Sequence, residues 1–220
     1  MVESSPVSPV SPREARFRQI ALVVLRLALG YLFFAALWWK QPPQFGCPVS
    51  PTGEFQFTTG TPQRLSRTTG LCDWLGIQSV WATAPHPILD SGLGVALPID
   101  PLARLNGLFV DNVIIPGFPA SGYFIWLLEA FIAVSLLLGL FTRLGALAAL
   151  AQATQLLIGL GGIDNPPEWE WSYILMILAA LVVLAFAPGR RFGLDAGLRP
   201  RLRAAAESGS RLARAALFAT

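Results

Sequence analysis

The sequence is short of charge. Asp, Glu, Lys and Arg make up 13% of its 220 residues, against about 25% in an ordinary soluble domain. It has one histidine and two cysteines. His86, in Pro85-His86-Pro87, has no second histidine and no acidic cluster near it. It therefore reads as a loop residue, and no metal site is expected. The cysteines are not spaced CxxC and have no flanking base, so neither a haem attachment nor a lowered-pKa nucleophile is marked. Gly159, Gly161 and Gly162 follow no strand, which removes a phosphate loop. A catalytic triad and internal repeats are missing as well. The net charge of +3 could suggest nucleic acid, but the basic residues flank apolar runs and form no stripe with exposed aromatics. Soluble-enzyme chemistry and nucleic-acid binding are excluded together.

What the chain has in excess is apolar sequence: 54% of residues, with a mean hydropathy of +0.56. The surplus is gathered into four runs rather than spread in a 3.6- or 2-residue period. They cover about 17–39, 122–140, 144–161 and 171–187, each close to the ~20 residues needed to cross a bilayer core. The first is longer than a signal peptide's ~7–15-residue apolar region and has no small-residue cleavage site after it. It is read as retained, with Trp38, Trp39 and Lys40 as an interfacial anchor. Residues 1–16, rich in Ser and Pro, are expected to be a disordered tail. The fold class predicted is an all-α membrane protein, a bundle of four transmembrane helices over 17–197 with a long loop outside.

Charges near the span ends set the expected orientation. Arg13, Arg16 and Arg18 precede the first span, Arg143 joins the second and third, and Arg190 and Arg191 follow the fourth. Asp164, Glu168 and Glu170 lie on the opposite side. Both termini are therefore expected in the cytoplasm. The outer loop, 40–121, is too long to be structureless without a function. Leu102, Leu105, Leu108, Phe109 and Val113 recur at helical spacing, predicting an amphipathic helix on the outer membrane surface. A weaker pattern over Leu71–Trp81 suggests another. Residues 198–220, carrying Arg199, Arg201, Arg203, Arg211 and Arg214, read either as a basic amphipathic helix on the cytoplasmic leaflet or as a frayed tail.

Ionisable groups inside spans cost ~2.5–3.5 kcal/mol each on insertion scales, so they are functional candidates by default. Arg26 and Glu129 are the two here. Counted from the expected span ends, they lie roughly 13 and 18 Å from the cytoplasmic face, and Gln152 and Gln155 of the third span lie at similar depths. A salt bridge between Arg26 and Glu129 is geometrically allowed. The layer reads in two ways: a polar pocket for a quinone headgroup, a small thiol or a proton path, or a buried ion pair with two amides that fixes helix register. Trp169, Trp171 and Tyr173 at the outer end of the last span fit the aromatic belt; a flat ring stacked on one of them, Trp171 first, is the functional alternative. Cys47 and Cys72 both fall on the oxidising side and form either a structural disulfide or a redox-active dithiol.

Four strings together resemble the DoxX/DoxD membrane family: LRLALGYLFFAALWWK, with Arg26, Gly30 and Lys40; LLEAFIAVSLLLGLFTRLGA, with Glu129, Gly139, Thr142 and Arg143; PEWEWSYILM; and PGRRFGLD, ending at Asp195. The family includes the DoxD-type subunit of thiosulfate:quinone oxidoreductase. The resemblance implies a four-helix subunit of a prokaryotic cell membrane, assembled with redox partners and passing electrons from a small sulfur compound to quinone. It carries Arg26, Glu129, Arg143 and Asp195 over as matching residues, the last two at the cytoplasmic boundary. The first reading is a quinone-linked subunit with Arg26 and Glu129 as catalytic residues and Gln152, Gln155 and Trp171 at the quinone. The second is a non-catalytic accessory subunit of a larger respiratory or photosynthetic complex. Partners expected are the lipid bilayer and other subunits, or a second copy in a homodimer.

Overall fold

The computed structural model describes residues 11–90 and 96–220. Of the tail expected over 1–16, residues 1–10 lie outside the described residues, and the remainder is not tail. Ser11 caps the first helix, α1 (Pro12–Ala36), its hydroxyl accepting from the Glu14 backbone N–H at 3.2 Å. Ser11-Pro12-Arg13-Glu14 has the Ser-x-x-Glu spacing of a capping box with proline at the first helical position. That local signal overrides the Ser/Pro-rich composition before it.

The other three long helices are α4 (Ala120–Leu138), α5 (Thr142–Leu160) and α6 (Glu170–Phe186). With α1 they are the four described helices long and apolar enough to cross a membrane, and the chain is a multi-pass membrane protein. They form a ring in which α1 packs on α4 and α6, and α5 on α4 and α6. Leu29 and Phe33, Ile132 and Leu136, Ala146 and Ala149, and Ala180 and Val183 meet at its centre. The α5 contribution is alanine, which lets backbones approach where lipid provides no hydrophobic drive. Large apolar residues such as Phe124, Val134, Leu147 and Leu178 face outward, the reverse of a soluble bundle.

The segment between α1 and α4 is a folded cap. It holds two short antiparallel hairpins, β1 (Thr59–Thr61) with β2 (Arg64–Ser66) and β3 (Pro87–Ile88) with β4 (Leu97–Pro98). It also holds α2 (Gly70–Trp81) and α3 (Asp100–Phe109), the latter running into a π-helical turn at Val110–Ile114. The helix predicted from Leu102, Leu105, Leu108, Phe109 and Val113 is present, and all five side chains are exposed. Its buried face is Ala103, Gly107 and Val110: small residues inward, large apolar ones outward. Ile77 and Trp81 of α2 pack with Leu160, Ile163 and Tyr173, cementing the cap onto the ends of α5 and α6.

Cys47 and Cys72 form a disulfide across 25 residues of chain. It joins the segment leaving α1 to the start of α2 inside a core of Phe45, Leu71, Leu75 and Val110. Cys72 is fully buried, whereas thiol exchange needs access for the attacking thiolate; this bond holds the cap together. In the chain-entropy account it contributes about 3–4 kcal/mol. Replacing both cysteines with serine should lower the unfolding temperature in detergent while leaving membrane insertion intact, as followed by circular dichroism. An unchanged temperature would mean that the cap is held by packing alone.

At the other end of the bundle the single helix expected over 198–220 is a helical hairpin, α7 (Leu194–Glu207) and α8 (Arg211–Ala219), broken at Ser208-Gly209-Ser210. Gly209 takes φ +100°, and the Ser210 hydroxyl caps α8 by accepting from Ala213 N–H. Arg190 and Arg199 both donate to the Thr220 carbonyl, at 2.9 and 3.1 Å, folding α8 back against α7.

Candidate functional site

A close approach of α1 and α4 decides which polar residues meet. The helices run antiparallel, and a Cβ on Gly30 would stand 3.0 Å from Leu136 Cβ and 3.1 Å from the Leu137 backbone nitrogen. With residue 30 level with 136–137, Arg26 stands level with Leu140–Phe141 and Glu129 with the residues just past Ala36. At 1.5 Å per residue Arg26 and Glu129 are then roughly 17 Å apart along the axis. The salt bridge allowed from the sequence does not form. The count sets the ends of the first two spans level; instead the first turns of α1, from Pro12, run on past the α4–α5 turn, so Arg26 lies at that turn and not inside the bundle.

Glu129 pairs instead with Lys40. The Lys40 ammonium contacts both carboxylate oxygens of Glu129, and the two side chains are 6% and 5% exposed. The lysine had looked like an interfacial anchor; its four-carbon stem turns inward past Trp39, whose ring lies 4.6 Å from Nζ. Arg26 is buried at the opposite end, donating from Nη1 to the Phe192 carbonyl at 2.7 Å and lying in the field of Asp195.

Around the Lys40–Glu129 pair is a cavity of about 350 Å³, within the usual size range for small-molecule sites of ~300–1,000 Å³. Each layer of the fold supplies a wall. Leu32, Phe33 and Ala36 come from α1, Trp39 and Lys40 from the segment after it, and Leu71, Trp74, Leu75 and Gln78 from α2. Ile125 and Glu129 come from α4, Gln152, Gln155 and Leu156 from α5, and Glu168, Trp169, Ser172, Tyr173 and Met176 from the start of α6 and the loop before it. Trp39 and Trp74 face one another at 5.5 Å between centroids, tilted by 31°.

The polar groups fall into three sets. Gln155 donates to Gln78 at 2.8 Å and to Asn106 at 3.1 Å, and Asn106 donates to Gln78 at 2.9 Å, a closed amide network joining α5 to the cap. Tyr173 donates to Glu168 at 2.9 Å. Burial raises the Glu168 pKa, opposed by that hydrogen bond and by Arg67, so this carboxyl holds its proton to higher pH than an exposed glutamate. Gln152 is the third: among the described residues its carboxamide has no hydrogen-bond partner, although it lines the cavity.

Of the residues singled out from the sequence, Glu129, Gln152 and Gln155 come together here, and Arg26 and Trp171 do not. Trp171 is 48% exposed; Ser172, Tyr173 and Met176 share the inward face of α6, and Trp171 is turned away from it by the 100° step of the helix. Trp169, one of its belt neighbours, lines the cavity instead. Lys40, Trp39, Trp74, Gln78, Glu168 and Tyr173 were not expected there. The Trp-Trp-Lys string at the end of the first run was the available sign, since a buried glutamate needs a cation within reach.

The profile of the family described as "TQO small subunit DoxD" matches residues 121–215. That stretch runs from α4 to α8 and includes Glu129, Gln152, Gln155, Glu168 and Tyr173. No curated protein and no solved structure matches the chain.

Proposed function

We propose, for a chain whose residues 121–215 match the DoxD-type family, that it is the membrane subunit of a quinone-linked oxidoreductase and binds the quinone headgroup in the cavity beside Lys40 and Glu129. The observation that carries this reading is the Gln152 carboxamide, an amide with no partner among the described residues, in the wall of an aromatic-lined cavity within the bundle. A quinone has two carbonyl acceptors and a flat ring. Gln152 and Lys40 offer N–H donors, and Trp39, Trp74 and Trp169 offer faces for a ring.

Bound quinone supplies the chemistry of a two-electron, two-proton acceptor. The chain's own groups hold and move the protons. Glu168, whose pKa burial raises, accepts a hydrogen bond from Tyr173, and Glu129 is held by Lys40 at the other side of the cavity. The electron donor in this reading is a small sulfur compound such as thiosulfate, two molecules of which release two electrons as they join through a new S–S bond. It approaches from the cap side. The Cys47–Cys72 bond takes no part, because it is buried.

All the basic span flanks lie at one end of the bundle: the start of α1, the α4–α5 turn and the segment after α6. We place that end, with both termini, in the cytoplasm by the positive-inside rule. The family's description as a small subunit supports a larger partner, and the accessory reading differs only in leaving the cavity without a substrate.

A Gln152→Leu variant separates them. It removes the free amide and leaves the other hydrogen bonds around the cavity in place, so the unfolding temperature should be unchanged. Affinity for a short-chain benzoquinone, read by quenching of the cavity tryptophans, should fall roughly five- to tenfold for one lost hydrogen bond. Equal affinity in the variant and the parent protein sinks the assignment.

A further inference from the structure

A second cavity, of about 370 Å³, lies against the first. Leu75, Ile125, Gln152 and Gln155 line both. The remaining lining of the second is almost wholly apolar: Phe109, Val110 and Ile114 from the end of α3 and its π turn, and Ala120, Ser121 and Phe124 from the first turns of α4. A π turn holds an extra residue against the regular α spacing and often marks a functional site; here it carries Val110 and Ile114 on the side that opens from α4.

Three observations say what this space accommodates. Its rim is apolar and open to the outside of the bundle: Phe109 is 53% and Phe124 66% exposed, on helices whose outward residues are large and apolar. Its inner end is the wall that bears the free Gln152 amide. Between rim and wall the polar groups are Ser121 and the two glutamines. Such a passage suits a hydrocarbon chain, since water gains little there and a chain loses its contact with neither protein nor lipid.

The geometry points to a lateral portal: the cavity between the π turn and α4 holds the hydrocarbon tail of the quinone whose headgroup lies beside Lys40 and Glu129. This rests on the headgroup reading above and adds the place in the fold where the tail of a membrane quinone lies. The head cavity is then reached sideways from the membrane, and the cap closes it from above.

The test uses the full chain in lipid nanodiscs and a benzoquinone carrying a photoreactive diazirine on a ten-carbon tail, with cross-links mapped by mass spectrometry. Cross-links should fall on Phe109, Val110, Ile114 and Phe124, and an excess of the tailless benzoquinone should suppress them. Ser121→Trp, and independently Ala120→Trp, should weaken binding of the tailed quinone roughly tenfold or more by filling the passage. Binding of the tailless compound should be unaffected, which also shows that the variants are folded. Cross-links elsewhere, with tailless quinone still quenching the cavity tryptophans, overturn the portal and leave the headgroup site standing. Labelling suppressed by excess phospholipid but not by tailless quinone overturns it too, and assigns the cavity to a lipid acyl chain. If tailless quinone neither quenches nor competes, the headgroup reading fails and the portal falls with it.

Discussion

Lys40→Met should be the most damaging single substitution in the cavity, lowering stability by about 3–5 kcal/mol. The lysine and Glu129 are both almost wholly buried, so removing either leaves the other as a charge without a counterion in a low-dielectric site. Glu129→Gln should cost a similar amount, because it strands the ammonium. The double variant Lys40→Met/Glu129→Leu should recover most of the loss, since an apolar pair of similar volume avoids desolvation altogether. Thermal unfolding of the three variants in one detergent gives the comparison. If the double variant loses as much as the two single losses added, the residues act independently and the pair is not what holds α1 to α4 at this level. The same double variant should no longer bind a benzoquinone, which separates what the pair does for folding from what it does for the site.

The parts of the fold visible in the sequence are those governed by local composition. Four apolar runs become four helices, and the large apolar residues at helical spacing in 102–113 become α3 and its π turn. The amphipathic pattern there was readable because lipid, like a soluble core, selects one face. Of the cap, α2 and α3 follow the helical spacing of Leu71–Trp81 and of 102–113; the rest was not readable, because its strands are two or three residues long and are held by a disulfide and aromatic packing around Phe45 and Phe118 rather than by a period. The site was half readable for a related reason. Glu129, Gln152 and Gln155 stand out as polar residues in apolar runs, and their depths could be counted. Their partners depend on register, and register depends on the contact of Gly30 with Leu136, which no count from span ends contains. In that register the first turns of α1 run past the α4–α5 turn, which takes Arg26 away from Glu129 and brings Lys40 to it.

The bundle's basic end follows the same logic and gives the second large effect, at Asp195. The turn from α4 to α5 offers α5 no N-cap of its own: Gly139 and Phe141 both adopt left-handed φ, +63° and +50°, and neither side chain caps the helix. Asp195, from the start of α7, supplies the missing acceptor. Its two oxygens accept from Phe141 N–H at 2.8 Å and Thr142 N–H at 2.9 Å, placing a carboxylate at the positive end of α5. Arg26 lies across Gly139, where a Cβ would stand 2.3 Å from its Nη1, and ties α1 to the same turn through Phe192. Asp195→Asn keeps the shape, but its amide can accept from only one of the two N–H groups and no longer offsets the arginine. One charge-assisted hydrogen bond lost outright puts the loss at about 1.5–3 kcal/mol. Arg26→Met should also destabilise. Both variants should bind benzoquinone with parent affinity in the folded fraction, because neither residue lines the cavity. A quinone affinity that falls in Asp195→Asn at an unchanged unfolding temperature would instead make this end part of the site and return Arg26 to a functional role.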